Sequence, residues 1–227
     1  MTNAQSSGRR SKKGWLIVGA LVVALVGWVV YDLYAPRRTA LRDFDPDEVA
    51  RLETAMWRSY YERRRVSLFN ELAELLRTQY RMPFARSNVV AYQAAKAAFV
   101  FKDGRSRADY EKALPNLVNF YSAIREVSDT EFDVRRAAEL ELEWWIIHRE
   151  RKRHAPGDLE RSLADLPAEI YRVPAERLFE HARLRAEAMT IRDTKAEQGG
   201  VTEEDWRRID ELLHASWQSL WRAVNQS

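Results

Sequence analysis

Eighteen consecutive residues, Gly14-Trp-Leu-Ile-Val-Gly-Ala-Leu-Val-Val-Ala-Leu-Val-Gly-Trp-Val-Val-Tyr31, carry no charge. An apolar run of this length matches the roughly 20 residues that a helix needs to cross a hydrocarbon core. Trp15 at one end, with Tyr31 and Tyr34 at the other, suits the two interfacial layers of a bilayer. The run is too long for the apolar segment of a cleaved leader. Leu33 before Ala35, with Pro36 after it, makes a poor cleavage site. The expected organisation is a basic tail over residues 1–13, an uncleaved single-span anchor over 14–34, a linker over 35–44 and one domain over 45–227.

The anchor also governs how the charge is read. Of the 37 Lys and Arg residues, Arg9, Arg10, Lys12 and Lys13 precede the span, and Asp32 is the only acid before residue 35. The remainder carries 33 basic and 33 of the 34 acidic residues, so the domain is formally neutral. Neutrality argues against a nucleic-acid partner, which would need a surplus of cations. A short basic tail is retained in the cytoplasm, which places the domain on the far side, periplasmic in a bacterium. Ala20 and Ala24 have the small-residue spacing that lets two anchors pack together, so a homodimer is one expected partner. Without cysteine, the chain has no thiol catalysis, disulfide or zinc–thiolate site.

Beyond residue 45 the pattern is helical throughout. Asp45-Pro46-Asp47-Glu48 starts a long helix that runs to about Tyr80, bent in the middle, and Pro83 ends it. An alanine-rich helix from about Ser87 to Lys102 reads as central and closely packed. Ser106 caps a third helix that Pro115 interrupts, and a fourth spans about Thr130 to His154. A short helix after Gly157, one from Pro174 to Lys195 and one capped by Thr202 complete an all-α bundle of six or seven helices. No stretch alternates like a strand. No phosphate-cradling loop, nucleophile elbow or zinc-protease helix is present.

Several polar residues fall on faces that should be apolar. At 100° per residue, Glu141 lies among Val134, Ala137, Ala138, Trp145 and His148, and Glu53 lies among Val49, Ala50, Met56, Trp57 and Tyr60, with Arg64 a turn on. Asp210 falls with Trp206, Leu213 and Trp217, with His214 at the stripe's edge, and Lys96 lies beside Tyr92 and Phe99. An unpaired buried carboxylate costs several kcal/mol, so these groups need partners. The leading expectation is a buried polar network of Glu53, Tyr60, Arg64, Lys96, Glu141 and His148 that fixes helix register and needs no cofactor. A polar pocket for a small organic cation, walled by Trp and Tyr, is a further reading.

The alternative is a metal. Glu141–His148 (Glu-x6-His) and Asp210–His214 (Asp-x3-His) have spacings similar to those of the haem-oxygenase-like di-metal oxidases. That likeness implies an iron or manganese centre held by Glu141, His148, Asp210 and His214, with Glu53 as a further ligand. It covers two short motifs only. Trp206 stands where that family carries another histidine, and the helix between offers Glu176, Glu180 and Glu187 on its polar side. The expected function is therefore a membrane-anchored helical protein acting by protein–protein contact in an envelope complex. The alternative is a membrane-tethered metal-dependent enzyme.

Overall fold

The computed structural model describes residues 7–226, with side chains from Gly14 onward. The basic tail of residues 1–13 lies outside the described side chains. Helix α1 (Ser7–Tyr34) holds the apolar run, and its segment Gly14–Tyr34 is long and apolar enough to cross a membrane. At 1.5 Å per residue this segment is about 31 Å long. It projects from the rest of the chain with 6% of its hydrophobic window buried.

The remainder is all-α, and among the described residues there is no strand beyond one isolated bridge between Thr39 and Ser128. The helices are α2 (Pro46–Tyr61), α3 (Arg65–Tyr80), α4 (Phe84–Asp103), the single turn α5 (Arg107–Tyr110), α6 (Leu114–Val127), α7 (Val134–Arg149), α8 (Asp158–Tyr171), α9 (Phe179–Glu197) and α10 (Glu203–Asn225). Asp45 accepts from the Asp47 and Glu48 amides to start α2, with Pro46 at the first helical position. Glu48 does not complete a capping box there; its carboxylate pairs with Arg51 instead. Thr202 and Asp205 make the reciprocal box that starts α10.

The expected long helix is two helices. Arg63, at φ 60°, takes the left-handed conformation and turns the chain between α2 and α3. Neither glycine nor proline marks this corner. Pro115 lies in the first turn of α6 and therefore begins a helix instead of kinking one. Adding these pieces brings the helix count above the six or seven expected.

Each long helix packs on the next in the chain, and α10 packs back on α2, so eight helices close into a ring. The core includes Leu76, Ile124, Leu163, Ile209 and Leu213, none more than 1% exposed. The expected linker is part of this core. Leu41 (0% exposed) and Phe44 (5%) are buried, and Phe44 meets the rings of Tyr171 and Trp217 at 6.2 and 5.9 Å. Thr39 bonds to Val127 and Asp129 through its backbone, and Arg42 donates to the carbonyls of Tyr171 (2.8 Å) and Val224 (3.0 Å). The physical reason is that Leu41 and Phe44, an apolar pair on either side of Arg42-Asp43, gain more in the core than in water.

Helix α1 joins the ring through reciprocal caps. The Asp32 carboxylate accepts from the Ala85 amide at 2.6 Å, at the start of α4, where Pro83 offers no side-chain cap. Arg86 returns the favour by donating through Nε to the Leu33 carbonyl at 2.7 Å, at the end of α1. Both charged residues are 7% exposed. Each meets helix-end groups that would otherwise lack partners.

The candidate functional site at the polar centre

The inward carboxylates of α2 and α7 do face the protein interior. Glu53 is 1% exposed and accepts from Arg185 of α9 through Nε (3.0 Å) and Nη2 (2.6 Å), both at Oε1. Its Oε2 accepts from Trp217 Nε1 of α10 at 2.5 Å. Glu141 is half-buried and accepts from the Tyr121 hydroxyl (2.7 Å) and from Trp145 Nε1 (2.8 Å). Each carboxylate thus takes one indole N–H. For Glu141 the indole is four residues along its own helix. For Glu53 it comes from across the ring, and Trp57 is not the donor.

Arg185 is the cation shared by this centre, and no expectation named it. Burial alone would loosen the guanidinium's proton. The charge and hydrogen bonds of Glu53, and the charge of Glu141, outweigh that and raise its pKa above the usual value. The phenols around it are held protonated. Burial first, and then the neighbouring carboxylates and phenols, push Tyr80 and Tyr121 well above their ordinary value, and burial pushes Tyr171 up to about 12. Protonated phenols donate, which is what Glu141 requires of Tyr121. Gln79 of α3 donates to the Tyr171 hydroxyl of α8 at 3.2 Å, a second bond across the ring.

His181 of α9 is buried at 3% exposure. Its Nδ1 lies 2.7 Å from Ser216 Oγ, and its ring packs edge-on to Trp217. Burial, and then the charge of Arg185, lower its pKa to about 4, so the imidazole is neutral near pH 7. The Ser–His contact has the look of an activated nucleophile, but Ser216 is 0% exposed and also donates to the His181 carbonyl.

The remaining predicted residues are elsewhere. Arg64 is exposed and pairs with Glu62, Lys96 is exposed, and Tyr60 is 38% exposed, so none of the three belongs to the buried network. The alanine-rich α4 has one covered face, at Ala91 and Ala97, while its Tyr92–Lys96–Phe99 side is open. His148 belongs to a second cluster. Its Nε2 approaches Asp193 Oδ2 at 3.1 Å without the alignment of a hydrogen bond, and Arg151 and Arg192 contact the same carboxylate. Burial would raise the Asp193 carboxyl, but those contacts with His148, Arg192 and Arg151 prevail and hold it below its usual value. Asp210 and His214 meet each other on a partly exposed flank of α10.

The five metal candidates, Glu53, Glu141, His148, Asp210 and His214, are therefore not brought together. The oxygens of Glu53 and Glu141 already accept from protein donors, and His148 turns to Asp193. Among the described residues no group of three or more His, Asp or Glu side chains could hold an iron or manganese ion. No protein-family profile, curated protein or solved structure matches the chain.

Proposed function

We propose that this chain is a single-pass membrane protein whose helical ring is a docking module for another protein. The basic tail lies in the cytoplasm and the ring lies outside it. The observation that carries this reading is the placement of exposed apolar side chains. Outside α1, all of them but Phe179 gather on one side of α4, at Phe84 (59% exposed), Val89 (50%), Tyr92 (58%) and Phe99 (40%), and on the adjoining α2–α3 corner at Tyr60 and Val66. A cluster of exposed apolar side chains of this kind is a usual mark of a contact surface. The reciprocal caps between α1 and α4 support the reading, because they hold that face in a set orientation to the anchor.

The chain lacks cysteine, which makes single-site labelling direct. A Tyr92→Cys variant carrying a photo-crosslinker, illuminated in native membranes, is expected to give an adduct heavier than the chain. The same label at Lys152, on the exposed turn after α7, is expected to give none. An adduct of twice the chain's mass would identify a second copy as the partner. Equal or absent crosslinking at the two sites would remove the docking reading.

A further inference from the structure

The α2–α3 corner holds a small surface cavity whose electrostatics are uncompensated. It has a volume of about 160 Å³ and is lined by Tyr60, Arg63, Arg65, Phe99 and Lys102, together with Ser59 and Leu68. Among the described residues Arg63, Arg65 and Lys102 make no ion pair, whereas Arg58 and Arg64 beside them are both paired. No acid lines the cavity. Glu71 reaches it only indirectly, by accepting from Ser59 Oγ at 2.9 Å. The positive end of the 16-residue helix α3 begins at Arg65 with no side-chain cap and adds to the same field. Arg65 also lies over the Phe99 ring at 5.9 Å, which holds its guanidinium at the rim.

Three cations around one cavity, with only the indirect charge of Glu71 to offset them, repel one another, and the left-handed Arg63 that brings two of them to the corner costs about 1–2 kcal/mol. An anion bound among them would relieve that repulsion, and their field would draw it in. We propose that this cavity binds a phosphate monoester or inorganic phosphate. Charge selects the class. Three cations less the one charge of Glu71 leave a surplus of two, which matches the roughly −1.5 to −2 of a monoester near neutral pH. A carboxylate or a phosphodiester supplies one charge and leaves the site half-neutralised. Two arginines also offer the forked donors that suit phosphate oxygens, and Tyr60 and Phe99 can flank an ester group. The phosphate can be free, or it can be the monoester headgroup of phosphatidic acid. This inference goes beyond the docking reading and stands without it.

The test uses the full chain in phosphatidylcholine nanodiscs, titrated with inorganic phosphate by calorimetry. Saturable binding in the millimolar range is expected. It should weaken at least tenfold in an Arg63→Gln/Arg65→Gln/Lys102→Gln variant and remain unchanged in Lys152→Gln. Lys102→Glu alone provides a second variant should the triple one fold poorly, with the same direction expected. Nanodiscs doped with phosphatidic acid or with phosphatidylglycerol then separate the sources. Competition by phosphatidic acid alone assigns a lipid headgroup, and no competition by either lipid assigns a free phosphate. Absence of saturable phosphate binding, or equal binding by wild type and both cavity variants, overturns the proposal.

Discussion

At the scale of single residues, the interior depends on one cation. Arg185 answers the fully buried Glu53 directly and lies in the field of Glu141, so its removal leaves uncompensated charge. Arg185→Met is expected to destabilise the fold by about 3–5 kcal/mol, and adding Glu53→Gln should return much of that loss. Thermal unfolding in detergent, followed by circular dichroism, would check the pair, and a mild effect of Arg185→Met would count against the shared-cation account. His181 sets a pH dependence. Its folded-state pKa is depressed to about 4 from 6.5, so the unfolded chain takes up the proton first as pH falls. Stability should therefore decline from about pH 6.5 and level off near pH 4, by about 3 kcal/mol in all. A His181→Gln variant should show a flatter profile over that window. The inward carboxylates were legible in the sequence because helical period alone puts Glu53 and Glu141 among apolar neighbours. Arg185 and His181 were not. The buried side of α9 is made of small residues such as Ala182, Ala186 and Ala188, so its apolar stripe is too faint to show what it covers.

At the scale of elements, the caps explain which boundaries could be read. Asp45, Ser106 and Thr202 each announce a helix start in the sequence, and each does accept from the first-turn amides. The corner at Arg63 has no such signal, since its left-handed residue is neither glycine nor asparagine. The start of α4 is capped by a residue 53 positions earlier, and no local pattern encodes that. The error over Lys96 arose similarly. Alanines on one side of α4 and aromatics on the other make the helix apolar nearly all round, and only the assembled ring shows which side is covered. The joint between α1 and α4 can be tested by pulse dipolar spectroscopy. Spin labels at Trp15 and Glu160 in wild type are expected to give one narrow distance distribution. Asp32→Ala with Arg86→Ala should broaden it while lowering stability by only about 1 kcal/mol per cap. A distribution unchanged by the double substitution would mean that the caps do not hold the joint.

At the scale of the whole molecule, the class of architecture was the most legible property. An uncharged run, helical periodicity and the lack of any alternating segment sufficed for an apolar N-terminal helix and an all-α remainder. Ring closure was not legible, because it depends on contacts between the first and last helices of the bundle. The proposed anchoring role of α1 predicts that the chain remains in the membrane pellet after alkaline carbonate extraction. An impermeant maleimide should reach Glu160→Cys from outside intact cells and reach Ser6→Cys only after permeabilisation. Release into the supernatant would remove the anchor, and the reverse labelling pattern would invert the topology. The closing contacts have a consequence in time. Arg42 donates to Val224, 182 residues later, and Asn225 donates back to Arg42. While the chain is being synthesised, α2 has its loop segment and α3 for company but must wait for α10. The apolar face of α2 therefore stays unsatisfied until α10 has been translated. Pairings so distant in sequence slow folding and leave surface exposed to aggregation in the interval. Nascent chains truncated before α10 should accordingly be the species that a chaperone holds longest.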